Sequence, residues 1–246
     1  MSGDTLGESA RRLAKCVVEL AHCSRREAEE LIEGGWVSVD GVVVEEPQFM
    51  VSTQVVAIDP AAKPGAIEPA TLLLHKPAGV EMLAGSEAAV SLVRPDTQSA
   101  LDDSGTRRLK RHLRGLTPLM PLEREASGLL VLSQDVGVAR RLMEEGHHIE
   151  QEFIVEVSGE IVPYGLARLN HGLSYKGRAL PPCKVSWQNE VRLRFALKGV
   201  LAGQLRDVCR QVGLDVVAQR RIRIGRIPLG KIAAGEWRYL PGGARF

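Results

Sequence analysis

Glu123, Arg124 and Glu125 stand just before Gly128-Leu129-Leu130-Val131-Leu132, a glycine followed by four aliphatic residues. An apolar run of this length, closed by the polar Ser133-Gln134-Asp135, predicts a buried strand. Two carboxylates and a cation therefore fall in a loop whose far end is fixed in the core, where a scaffold can hold a side chain for carboxylate chemistry. The same charges also describe a solvated turn, and the pattern alone fits a turn better.

Ser24-Arg25-Arg26-Glu27 is a second such group. Serine with glutamate three residues later is a capping box, in which hydroxyl and carboxylate each take a backbone N–H left open at a helix start. Arg25 and Arg26 then meet the positive end of the helix dipole, which disfavours each cation by about 0.3–1 kcal/mol. A phosphate would offset this, because helix N-termini and forked guanidinium donors both bind anions. Two solvated arginines at a surface turn are the alternative. Arg107, Arg108, Lys110, Arg111 and Arg114 follow one another with no acid among them. Such a run suits contact with a polyphosphate backbone, where affinity comes from counterion release, and it equally describes a mobile basic surface loop.

These residues need elements to position them, and 246 residues are enough for a small and a medium domain. The capped helix from Ser24 presents Ala28, Leu31 and Ile32 and ends at Gly34-Gly35. Asp40-Gly41 between Val37-Ser38-Val39 and Val42-Val43-Val44 predicts a hairpin, since both turn residues tolerate positive φ. Asp59 to Pro69 is rich in proline and alanine and reads as a linker. Further along, Leu72-Leu73-Leu74 predicts a strand, 136–145 a helix, and 152–157 a strand with Phe153, Val155 and Val157 on one face. Strands follow over 182–185 and 192–197, and a helix over 204–213.

Net charge is +2, but residues 1–50 hold ten acids against five bases and residues 201–246 nine bases against three acids. Local basic patches make nucleic acid the expected partner. Cys16, Cys23, Cys183 and Cys209 lack metal-ligand spacing and are read as reduced thiols. No apolar run approaches the roughly 18 residues of a membrane span, and residues 1–10 lack the apolar stretch of a secretory signal, so a cytoplasmic protein is expected.

Arg12-Leu13-Ala14-Lys15, Cys23-Ser24-Arg25-Arg26-Glu27-Ala28 and Gly35-x-Val37-x-Val39-Asp40-Gly41 resemble an S4 RNA-binding domain. Leu122, Ser127, Gly128, Leu129 and Leu130 resemble, in register, the loop Gly-Arg-Leu-Asp-x-x-Thr-Ser-Gly-Leu-Leu of RNA pseudouridine synthases of the RsuA family. His75-Lys76-Pro77-Ala78-Gly79 is similar to that family's Asn-Lys-Pro-x-Gly, Gln151-x-Phe153-x-Val155 to its Lys-x-Tyr-x-Val, and Gln204-Leu205-Arg206 to the start of its Arg-rich helix. The closing stretch from Arg221 to Leu240 matches as well.

The resemblance implies an α+β protein. A small S4-type helix-helix-hairpin domain over 9–55 would be joined by a linker, 56–70, to a synthase domain over 71–241 whose mixed, mainly antiparallel sheet is flanked by helices. It implies Glu123 as the catalytic carboxylate in place of the family's aspartate, Arg206 as its ion-pair partner, and Phe153, which lacks the family's tyrosine hydroxyl, stacking on the base. RNA contacts fall to Arg12, Lys15, Ser24, Arg25, Arg26, Lys76, Arg107, Arg108, Lys110, Arg111, Gln204 and Leu205. The implied activity is uridine-to-pseudouridine isomerisation in structured, ribosomal RNA by a monomer needing neither cofactor nor metal. A relative that binds RNA without modifying it is the alternative. Against the family's geometry Glu123 is one methylene long, so shortening it to aspartate is expected to raise the rate; in an enzyme adapted to glutamate the same change would slow it and Glu123→Gln would abolish it.

Overall fold

The computed structural model describes residues 10–82 and 88–246. The expected domain start at Ser9 lies outside them. The chain divides into two compact units, one comprising residues up to Pro69 together with Arg107–Arg114, the other Ala70–Thr106 and Gly115–Phe246.

In the first unit, strand β1 (Arg11–Arg12) leads into helices α1 (Leu13–Ala21) and α2 (Arg25–Glu33), followed by strands β2 (Val37–Val39), β3 (Val42–Val43), β4 (Met50–Val51) and β5 (Val56–Ile58). Both bonds of the capping box form, Glu27 N–H to Ser24 Oγ at 3.2 Å and Ser24 N–H to Glu27 Oε2 at 2.8 Å. The hairpin turns through Asp40 and Gly41, both at positive φ, with Val39 facing Val42. Ala28, Leu31 and Ile32 pack with Leu13, Val17, Val37 and Val39 in one apolar cluster. β5 falls within the stretch expected as linker; it pairs with β2, and Val56 and Ile58 lean on this cluster.

The second unit runs β6 (Thr71–Lys76), β7 (Thr117–Leu119), β8 (Ser127–Ser133), α3 (Val136–Glu144), β9 (Glu150–Gly159), α4 (Gly165–His171), β10 (Ser174–Tyr175), β11 (Arg178–Ala179), β12 (Lys184–Asn189), β13 (Arg192–Lys198), α5 (Gln204–Arg210), β14 (Leu214–Ile224), β15 (Ile227–Pro228) and β16 (Trp237–Tyr239). Its main sheet has the order β12-β13-β9-β14-β8-β6-β16, with β15 pairing to β14 and β7 to β8. The β14–β8 pairing is parallel and the others are antiparallel. β6 and β8 sit deep in this sheet, which is why Leu72-Leu73-Leu74 and Leu129-Leu130-Val131-Leu132 read as apolar runs. Phe153, Val155 and Val157 share a core with Leu205, Val208 and Val212, fixing α5 over the β9 face.

Candidate active site

Glu123 lies in the loop between β7 and β8, and two unusual backbone positions shape that loop. Met120 adopts φ 54°, a left-handed conformation that costs a non-glycine residue energy. Gly128 has φ 112°, and a Cβ added there would come within 2.2 Å of the Arg221 carbonyl oxygen. Only glycine lets β8 and β14 approach at the Gly128–Arg221 register pair.

Two buried cations hold the loop. The Arg221 guanidinium donates to the carbonyls of Met120 at 2.7 Å, Pro121 at 3.2 Å and Leu129 at 2.8 Å, and to Gln151 Oε1 at 3.0 Å. Burial pulls its pKa down to about 9, so it is charged at neutral pH. Lys76 Nζ donates to the carbonyls of Pro77, Val80 and Arg124 at 2.9, 2.8 and 3.0 Å. Burial lowers its pKa to about 8 against the opposing pull of Glu125 and Glu81. Lys76, expected among the RNA contacts, is fully buried; the correction follows from its three carbonyl acceptors, which use every ammonium proton.

The carboxylate of Glu123 takes the Gly203 N–H on Oε1 at 2.7 Å, and Arg206 Nε lies 4.0 Å from Oε2. Arg206 is thus an ion-pair neighbour beyond hydrogen-bond range. Glu123, Phe153 and Leu205 line one cleft of about 510 Å³. Phe153 and Leu205 give this cleft an aromatic and an aliphatic wall beside the carboxylate. Gln204, also expected at the RNA surface, is buried, and its Oε1 accepts the Leu201 N–H at 3.0 Å. That amide braces the turn into α5 and is turned away from solvent.

In the first unit Arg12, Lys15 and Arg25 line a groove of about 640 Å³ together with Arg11. Arg25 and Arg26 pair with Glu29 and Glu30 one helical turn on, at 2.9 and 3.0 Å, yet their side chains stay 77% and 86% exposed and can reach a phosphate. The Ser24 hydroxyl is engaged in the cap.

The basic run from Arg107 departs from the expected mobile loop. Arg107 lies over the Trp36 ring at 3.9 Å from its centroid and bonds Asp59 at 2.7 Å and the Gly35 carbonyl at 2.6 Å. Lys110 pairs with Glu46 at 2.8 Å, Arg111 with Glu33 at 3.7 Å, and Leu109 is buried over Gly35. Glu33 and Glu46 belong to the acidic surplus of the first fifty residues and Asp59 lies just beyond it, so these three cations face acids first. Arg108 is exposed.

Sequence reasoning passed over the two groups that position Glu123. Arg221 announces itself only as a charge at an inward position of a strand, with buried Gln219 two residues before it. Gly203 gives no side-chain signal at all, since its backbone N–H is the ligand.

A family model described as the S4 domain matches residues 11–56. The dual-specificity RNA pseudouridine synthase RluF of Salmonella typhi is 28% identical, over 96% of this chain and 77% of its own. The ribosomal large subunit pseudouridine synthase B of Bacillus subtilis is 26% identical, over 93% and 91%. A crystal structure of a pseudouridylate synthase superposes with a TM-score of 0.60 at 19% identity, over 93% of this chain and 95% of that one, so the two share a fold.

Proposed function

We propose that this chain, a homologue of RNA pseudouridine synthases with an S4 domain at its N-terminus, isomerises uridine to pseudouridine in structured RNA, with ribosomal RNA as substrate and Glu123 as the reacting carboxylate. The observation carrying this is the convergence of Glu123, Phe153 and Leu205 on one cleft, with Arg206 beside the carboxylate.

The reaction breaks the N1–C1′ bond of uridine, turns the uracil and joins C5 to C1′; the C5 proton is released to solvent and N1 takes one up. Nothing is oxidised or reduced overall, so the reaction itself calls for no electron carrier. A base must leave its helix to be reached, and a pocket with an aromatic wall repays part of that unstacking. Phe153 and Leu205 would hold the extruded base by its faces, and the Glu123 carboxylate would attack or stabilise the sugar carbon as the glycosidic bond opens. Arg206 and the Gly203 N–H would keep that carboxylate aimed.

On this reading residues 9–55 form the S4-like domain, 56–70 the linker and 71–241 the synthase domain. The exposed Arg12, Lys15, Arg25 and Arg26 supply phosphate contacts. We take the working species to be a cytoplasmic monomer. Release of tritium from uracil-C5-labelled ribosomal RNA, at stoichiometric protein, tests the activity. Release that follows wild type and disappears with Glu123→Gln supports it. RNA binding without release would leave the alternative, a relative that binds structured RNA and no longer modifies it.

A further inference from the structure

Gln219 lies on β14 between the two irregularities in its pairing with β9, at Val216/Ala218 and Arg221/Arg223. Within the regular stretch Gln219 stands opposite Val155 and Arg221 opposite Phe153. Directly paired residues share a sheet face, so Gln219 lies on the face that carries Phe153. It is 3% exposed and forms part of the same cleft wall as Glu123, Phe153 and Leu205. Its Oε1 is sealed from solvent and meets no hydrogen-bond donor among the described residues. Arg221, two positions on, spends four of its five N–H donors on three carbonyls and an amide. Buried amide oxygens nearly always have a partner, so this carboxamide gains a hydrogen bond when its terminal group turns toward a donor entering the cleft.

A carboxamide presents one acceptor beside two N–H donors. The imide edge of uracil presents the complement, an N3–H beside a carbonyl oxygen. We propose that Gln219 is the specificity-determining residue of this cleft, pairing through its carboxamide with the imide edge of an extruded uracil-type base. The terminal torsion of glutamine is broad, so a half-turn sets the oxygen or the nitrogen toward either group of that edge. Phe153 and Leu205 grip the faces of the base, and Gln219 reads its rim. The inference rests on the synthase reading of the cleft, and it adds the group that distinguishes uracil from a flat ring of the same size.

The test has two arms. In the first, Gln219→Leu is assayed by tritium release from labelled ribosomal RNA. The expected result is kcat/KM lower by about tenfold or more, because a site built to pair with an imide discriminates by that pairing. The dissociation constant for RNA, carried by the S4 surface, and the melting temperature should stay at wild-type values. Wild-type kcat and KM in Gln219→Leu would overturn the proposal. In the second arm the side-chain amide resonance of Gln219 in wild type is followed by NMR during titration with uridine 5′-monophosphate and with its N3-methyl derivative. The uridine nucleotide should shift it together with Leu205, and the methylated one should not. Shifts at Leu205 without Gln219, equal shifts with both nucleotides, or no binding would each overturn it. This arm needs no turnover, so wild type without tritium release but with the expected shifts would sink the synthase reading while retaining the base-reading residue.

Discussion

The backbone N–H of Gly203 donates to Glu123 Oε1 at 2.7 Å, whereas Arg206 Nε stands 4.0 Å from Oε2. The carboxylate is held first by an amide at the start of α5 and only second by the arginine. Gly203 itself is fixed, with φ 80° and the Tyr175 hydroxyl 2.7 Å from where a Cβ would lie. The extra methylene of glutamate is what lets the carboxylate reach this amide.

That hydrogen bond favours the second of the two outcomes expected for shortening residue 123, a slower enzyme. Glu123→Asp withdraws the carboxylate from Gly203 by about 1 Å, and a misplacement of that size costs on the order of 100-fold in rate. Glu123→Gln keeps the length and removes the charge, and should abolish turnover. Single-turnover tritium release decides. An aspartate variant faster than wild type would mean that the Gly203 bond holds the carboxylate in an unproductive place.

The joint between β8 and β14 makes a stability prediction. Gly128→Ala places a methyl 2.2 Å from the Arg221 carbonyl oxygen at a positive φ, with strand backbone on the far side that has nowhere to go. The loss should be about 3 kcal/mol or more, at the upper end for a single substitution. Urea denaturation measures it, and a loss below about 1 kcal/mol would show that the two strands part easily.

The legible parts of this chain are those whose signal is local. The Ser24 cap, the Asp40-Gly41 turn, the apolar run of β8 and the alternation at Phe153 each state their structure in a few residues. The loop carrying Glu123 is also visible in its residues. Its geometry is not, because Arg221 and Lys76 reach it from distant strands and Gly203 reaches it by backbone alone. The run from Arg107 misleads for a related reason. Five cations in a row look like a surface awaiting a polyanion, and only the fold shows that Asp59, Glu46 and Glu33 are that polyanion in part.

This acid–base pairing should respond to pH. Hydrogen bonds from Arg107 and Lys110 hold the Asp59 and Glu46 carboxyls below the usual carboxylate range. A depressed folded-state pKa contributes stability that is present above the unfolded pKa and lost as pH falls through the folded value. The run should therefore stay docked at neutral pH and loosen below about pH 4. Trp36 fluorescence reports it, since the Arg107 guanidinium covers that ring. Leu109→Ala, which empties the apolar anchor over Gly35 at a cost of about 2–5 kcal/mol, should shift the transition toward neutral pH. A Trp36 signal flat down to the acid unfolding of the whole chain would show that the ion pairs contribute nothing.

The last prediction concerns the exposed arginines of α2. Arg25 and Arg26 each make one i,i+4 ion pair, worth about 0.3–0.5 kcal/mol on a helix surface, and neither takes part in the Ser24–Glu27 cap. Arg25→Ala with Arg26→Ala should therefore leave the melting temperature within a few degrees of wild type. If both side chains neutralise phosphates, affinity for structured RNA should fall. The slope of log K against log salt, measured between about 50 and 200 mM, should flatten by about 0.7–0.9 for each phosphate that is no longer neutralised. A double variant that melts early yet binds with the wild-type slope would make these arginines structural. Replacing Ser24 by alanine is the complementary control, removing a cap worth about 1 kcal/mol while leaving both guanidiniums in place. It should lower the melting temperature more than the double arginine variant does and change RNA affinity less.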